Sequence, residues 1–108
     1  MRIEVSRDVF RLAQVFTISR GSRTEAQVLT VRITDGGVTG WGECVPYARY
    51  GETLESVTAE IEALRGPLTR DALYDLLPAG AARNAVDCAL WDLQAKQAGK
   101  PVWELAGL

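Results

Sequence analysis

The stretch Ala82-Arg83-Asn84-Ala85-Val86-Asp87-Cys88-Ala89-Leu90-Trp91-Asp92-Leu93-Gln94-Ala95-Lys96-Gln97-Ala98 carries the strongest helical periodicity in the sequence. Ala82, Ala85, Val86, Ala89, Leu90 and Leu93 recur at three- and four-residue spacing, while Trp91, Ala95 and Ala98 add a second apolar face. A surface helix carries one apolar stripe, so a helix that is apolar on two sides belongs at the centre of its domain. The expected helix spans about 81–98. Gly99 suits the C′ position that ends it, and Pro101 restarts a turn through Val102, Trp103 and Leu105, giving a short helix over about 101–106.

Upstream of this segment the helical pattern continues. Pro78 stops a helix expected over about 70–77, and Gly66-Pro67 stops an earlier one over about 53–65. In the earlier helix Leu54, Val57, Ile61 and Leu64 share a face, Glu55, Glu60 and Glu62 take the wet side, and Thr53 is placed as N-cap. The N-terminal part changes period. Val28, Thr30, Val31, Ile33 and Thr34 favour a strand over about 25–34, with Leu29, Val31 and Ile33 on one face. Asp35-Gly36-Gly37 tolerates the positive φ of a tight turn and leads to a strand over about 38–45. A first strand over about 2–12 begins with Ile3 and Val5 in alternation and shifts phase at Phe10 and Leu12, which reads as a bulge or bend. The residues from Ala13 to Thr24, with Arg20-Gly21-Ser22-Arg23, are expected to form a long loop, and Tyr47 to Glu52 a second one. Strands first and helices after imply an α+β domain occupying 1–108, a three-stranded antiparallel meander followed by a bundle of about three helices on one face of the sheet.

A chain of 108 residues has room for one core. Its hydrophobic share of 47% and charged share of 24% are those of an ordinary globular domain. A net charge of -2 supplies no field to gather phosphates, and the arginines alternate with acids, so nucleic-acid binding is disfavoured. Met1-Arg2-Ile3-Glu4 lacks the apolar run of a signal peptide and no stretch is long and apolar enough to span a bilayer, so the expectation is a cytoplasmic protein without membrane partners. The absence of histidine removes the commonest general base and every His-containing zinc site. Cys44 and Cys88 are too far apart in sequence for a zinc knuckle or redox pair, and read as two buried free thiols, with a disulfide left open.

Several strings together resemble the amino-terminal capping domain of the enolase superfamily, the mandelate racemase and muconate lactonizing enzyme-like group. Trp41-Gly42-Glu43-Cys44-Val45-Pro46 resembles the end of its sheet, and Ala85 to Lys96 with Gly99-Lys100-Pro101-Val102 and Leu105-Ala106-Gly107 resembles its last helix and the lead-in to a barrel. Within that group, Arg20-Gly21-Ser22-Arg23-Thr24-Glu25-Ala26 and Pro46-Tyr47-Ala48-Arg49-Tyr50-Gly51-Glu52 are similar to loops of L-Ala-D/L-Glu dipeptide epimerases. The resemblance covers nearly the whole chain. It implies a lid and specificity domain for an isomerase that exchanges the α-proton of a dipeptide, with two lysine bases and three carboxylates holding Mg²⁺ in a (β/α) barrel that this chain lacks. Such chemistry needs a Lewis acid to hold the developing dianion and a base matched to a very weak carbon acid. The resemblance places no catalytic residue and no metal ligand in this chain, and implies that the chain is inactive alone.

For site residues, the resemblance implies that Arg23 holds a carboxylate of the dipeptide, which suits a planar guanidinium, against the alternative of a solvated loop arginine. Arg20 competes for the same role. Phe16, Arg49 and Tyr50 are placed by the resemblance in loops that close over substrate, against plain packing or exposure. Gly51 reads as a turn glycine more than a hinge. Glu43, Asp87 and Asp92 are taken as structural carboxylates, and Trp41, Trp91 and Trp103 as core or interface packing. Two further readings stand beside this one. One is the cap of a muconate cycloisomerase-like or o-succinylbenzoate synthase-like enzyme, and the other a free-standing domain that binds a partner. An apolar face stripped of its barrel also implies self-association.

Overall fold

The computed structural model describes the backbone of residues 1–18 and 21–107, and the side chains of residues 1–9, 27–47 and 49–107. Three strands, β1 (Arg2–Ile18), β2 (Gly21–Asp35) and β3 (Val38–Cys44), form one antiparallel sheet in the order β1-β2-β3. Four α-helices follow among the described residues: α1 (Leu54–Glu62), α2 (Arg70–Leu76), α3 (Ala81–Ala98) and α4 (Val102–Leu105). The architecture is the α+β arrangement of a meander followed by helices, and the described residues contain no (β/α) barrel.

Pairing between β1 and β2 runs in one register from Arg2↔Thr34 to Arg11↔Glu25 and resumes, shifted, from Phe16↔Arg23 to Ile18↔Gly21. One expectation is met in part and one is corrected. The bulge or bend expected at Phe10 and Leu12 is found as a register shift between Arg11 and Phe16, an interval that takes in Leu12, while Phe10 itself stays in register with Ala26. Strand pairing also enters half of the segment expected as a loop from Ala13 to Thr24. Val15, Phe16, Thr17 and Ile18 are β-branched or aromatic, and that preference favours a two-stranded ribbon over a loop.

One face of the sheet is the core face. Leu29, Val31 and Ile33 on β2 are fully buried, Ile3 and Val5 pack beside them on β1, and Gly40, Gly42 and Cys44 face the same way on β3. The other face is polar: Thr30 donates to Asp8, Arg32 donates to Ser6 Oγ at 3.0 Å, and Arg32 lies over the Trp41 ring. Helix α3 lies across the core face and buries Ala82, Ala85, Val86, Ala89, Leu90, Leu93 and Ala95. Its approach is set by two glycines. A Cβ on Gly40 would overlap the Ala89 carbonyl and come 2.5 Å from Leu93 N, and one on Gly42 would overlap the Ala85 carbonyl. The alanines of α3 and the glycines of β3 thus let helix and strand meet backbone to backbone.

Two side chains of α3 also finish the sheet edge. Asp92 Oδ2 accepts from Trp41 N at 2.8 Å, and Lys96 Nζ donates to Thr39 O at 2.9 Å while pairing with Asp92 at 2.9 Å. These bonds occupy an edge-strand N–H and C=O that would otherwise be open to another strand. The helix ends where Gly99 takes φ 67°, its N–H returning to Ala95 and Lys96 carbonyls. Helix α1 starts with a reciprocal capping box: Thr53 Oγ1 accepts from Ser56 N, and Ser56 Oγ accepts from Thr53 N, both at 2.9 Å. It stops at Glu62, short of 65: Leu64 N turns to the Ile61 carbonyl at 3.1 Å, and Arg65 donates to the Glu62 and Leu64 carbonyls at 2.6 and 2.9 Å.

Candidate functional site

The register places both connections of interest at one end of the sheet. Cys44, the last residue of β3, pairs with Leu29, so residues 21–28 of β2 and their β1 partners project beyond the point where β3 leaves the sheet. The chain that follows β3, from Val45 to Glu52, therefore starts at the foot of that ribbon. Phe16 and Arg23 are Cα partners across the ribbon, which puts the two first-segment candidates opposite one another. The side chains of Phe16 and Arg23, and Arg20 altogether, lie outside the described residues.

The second connection is a tight, bonded unit. Tyr47 O accepts from Tyr50 N at 3.0 Å and from Glu52 N at 3.3 Å, closing a 3-10 turn over Ala48–Tyr50. Gly51 follows with φ 76°, a conformation that suits glycine, in accord with a turn role. The Tyr47 and Tyr50 rings meet edge to face at 5.0 Å, and the turn leaves Arg49 exposed and Tyr50 78% exposed. Both side chains are thus free to meet a ligand. Below them a cleft of about 530 Å³ is lined by Tyr50, Glu52, Ser56, Glu60 and Gly80, between the turn, α1 and the start of α3.

Glu52 is the residue that sequence reasoning missed. Its Oε1 accepts from Tyr47 N at 3.0 Å and its Oε2 from Ala81 N at 2.8 Å, which ties the turn to the first residue of α3. A signal for it existed at the other end of the bond. Gly80, the N-cap of α3, has no side chain with which to cap, so the opening N–H groups of α3 need an acceptor from elsewhere.

Other candidates fall into structural settings. Glu43 is exposed on the polar face of β3, and Asp92 serves the sheet edge. Asp87 Oδ1 and Arg70 Nε are buried with no partner among the described residues, and the Arg70 guanidinium stacks 3.4 Å from the Trp91 ring centre. Of the core or interface packing expected for the tryptophans, the core half is not met: Trp91 is half-buried under Arg70, and Trp41 and Trp103 are 50% and 61% exposed. Both cysteines are free, but only Cys44 is buried. Cys88 falls on the outward side of α3, since its neighbours Ala85, Val86, Ala89 and Leu90 already fill the face that meets the sheet. Burial, and next the Glu52 charge, push the Cys44 thiol up to about 11, and burial ahead of Asp87 also raises Cys88.

Among the described residues no three His, Cys, Asp or Glu side chains gather closely enough to hold a metal ion together. No helix among them is long and apolar enough to cross a membrane.

The family model described as "Mandelate racemase / muconate lactonizing enzyme, N-terminal domain" matches residues 2–107. The chain is 46% identical over 110 residues to the L-Ala-D/L-Glu epimerase of Escherichia coli, a match covering 98% of this chain and 34% of that protein. Among solved structures it is similar to an enolase family member from Agrobacterium tumefaciens with homology to dipeptide epimerases, solved with bound sodium and L-Ala-L-Glu. That match has a TM-score of 0.89 and 54% identity, and covers 95% of this chain and 33% of the other. It is also similar to the dipeptide epimerase of Methylococcus capsulatus complexed with Mg and L-Arg-D-Lys, with a TM-score of 0.82 and 33% identity, covering 98% of this chain and 34% of the other. The chain spans about a third of the length of each of these relatives. With the meander, the close β3–α3 contact and the family match over residues 2–107 in agreement, the chain belongs to the N-terminal domain family of the mandelate racemase and muconate lactonizing enzymes, within the enolase superfamily.

Proposed function

We propose that this chain is the capping domain of a Mg²⁺-dependent dipeptide epimerase of the cytoplasm that exchanges the α-proton of L-Ala-D/L-Glu-type dipeptides. The observation that carries the reading is the 46% identity to an L-Ala-D/L-Glu epimerase across 98% of the chain. The α-proton of a carboxylate is a very weak acid, and Mg²⁺ with a matched pair of bases supplies the acidity from a barrel outside these residues. The cap contributes binding. Arg23, on the projecting ribbon, clamps a substrate carboxylate; Phe16, its cross-strand partner, offers an apolar wall; Arg49 and Tyr50, exposed on the turn at the foot of the ribbon, close the rim. On this reading the 108 residues alone are inactive, and they self-associate through the surface that the barrel covers, to which the exposed Trp103 and Val102 near the C-terminal end belong.

The test is α-proton exchange of L-Ala-L-Glu by the full-length protein in D₂O with Mg²⁺, followed by NMR. Exchange is expected. Arg23→Ala should raise KM for the dipeptide on the order of tenfold or more, the scale of a lost charge-assisted hydrogen bond, with a smaller change in kcat. No exchange of any L-Ala-L-Xaa dipeptide, with turnover of a muconate or a succinylbenzoate precursor instead, would replace the epimerase reading by another member of the same group.

A further inference from the structure

We propose that Glu52 is a positioning residue, one that fixes the turn carrying Arg49 and Tyr50 to the first residue of α3 and so sets where those side chains meet substrate. The inference rests on the reading above that this turn forms part of the substrate lid. Both carboxylate oxygens are used, and by two separate pieces of chain: Oε1 by Tyr47 N at 3.0 Å, Oε2 by Ala81 N at 2.8 Å. Glu52 also donates its own N–H to Tyr47 O at 3.3 Å, so the turn is closed at its base by two bonds between the same pair of residues. The far end of the tie is rigid. Helix α3 is held against β3 at Gly40 and Gly42 with no space for an added carbon, so a bond to Ala81 refers the turn to the centre of the domain.

The chemistry of the tie favours a carboxylate over any other side chain. An ionised carboxylate only accepts, so each oxygen can take a different backbone N–H, and charge-assisted bonds of this kind are about twice as strong as neutral ones. Negative charge is also favoured at the positive end of a helix the length of α3. An amide of the same shape would present one acceptor and one donor, leaving either Tyr47 N or Ala81 N facing an N–H. Gly80 fits the arrangement as well, since a Cβ there would come 2.9 Å from Glu52 Oε2.

The experiment uses the full-length protein with Glu52→Ala and the isosteric Glu52→Gln, reading amide hydrogen exchange at Tyr47 and Ala81 and steady-state kinetics with L-Ala-L-Glu. In Glu52→Ala both amides should exchange about tenfold faster or more, and KM should rise about tenfold while kcat stays within about twofold. Glu52→Gln should lose protection at one of the two amides and give an intermediate KM. Unchanged protection of both amides in either variant overturns the proposal, as does lost protection with KM unmoved, or a kcat loss that tracks a falling Tm. If Glu52→Ala does not fold, Glu52→Gln decides by the same readouts. Absence of dipeptide exchange by the wild-type protein would sink the epimerase reading instead, and the amide measurements would still decide whether Glu52 holds the turn.

Discussion

Two neighbouring regions of this domain are held by opposite means. Along Gly40 and Gly42, β3 meets α3 through backbone atoms, with glycines on one side and Ala85, Ala89 and Leu93 on the other. A few residues on, from Tyr47 to Glu52, the chain is held by hydrogen bonds to one carboxylate while its large side chains stand in solvent. In the first region any added atom must displace backbone. In the second, Arg49 and Tyr50 can change without disturbing what holds the turn, because the bonds run through backbone N–H groups and Glu52. Such a division lets one fold keep its core while the exposed side chains of the turn vary.

The comparison breaks if the close interface tolerates bulk. Gly42→Val, whose Cβ would overlap the Ala85 carbonyl, is expected to destabilise the domain by about 3 kcal/mol or more, the upper range for overpacking. Urea denaturation measures it, and a wild-type midpoint would mean that helix and strand are free to separate.

A smaller effect sits at the junction of the two regions. Cys44 ends β3 on the core face, and its thiol is pushed up to about 11 by burial first and by the Glu52 charge second, from an ordinary value of 9.0. The folded state thus disfavours the thiolate. The unfolded chain releases the proton first, so stability is lost as pH rises from about 9 to about 11, by less than about 3 kcal/mol, and levels off above that. Cys44→Ala should flatten that alkaline limb in denaturation curves taken across the window, and a limb of the same depth would assign it to other groups. At pH 8 an alkylating reagent should modify Cys88 alone in the folded chain.

The smallest expected effect belongs to the bonded side. Thr53→Ala removes half of the capping box at the start of α1 and should cost about 1 kcal/mol. Thermal melts of the variant sharpen the contrast, for the loss should be a third or less of that at Gly42. A loss as large as the glycine variant's would show that the capping bonds carry as much of the fold as the close backbone interface.

Much of the scaffold was legible in the sequence because its signals are local. The two-sided periodicity of 81–98 gave α3 and its central place, Thr53 and Gly99 marked helix ends by their cap chemistry, and Leu29, Val31 and Ile33 announced the buried face of β2. The misreadings have local causes too. The phase change at Phe10 and Leu12 pointed to a break in register that starts only after Arg11, and the Arg20-Gly21-Ser22-Arg23 string made the ribbon look like a loop despite the β-formers before it. Cys88 was assigned by residue type, which says how apolar a side chain is and nothing of which side of its element faces a neighbour.

The sequence by itself determined the order of elements, the faces they bury and the ends of the helices, since periodicity and capping depend on residues only a few positions apart. Tertiary structure alone decided that the Gly40-Trp41-Gly42 string is where α3 rests, that Asp92 and Lys96 close the edge of β3, and that Glu52 reaches Ala81. Each of these joins residues far apart in the chain, the last two through hydrogen bonds about 3 Å long and the first through close backbone approach. No local pattern encodes such a pairing; it exists only once the sheet and α3 have docked.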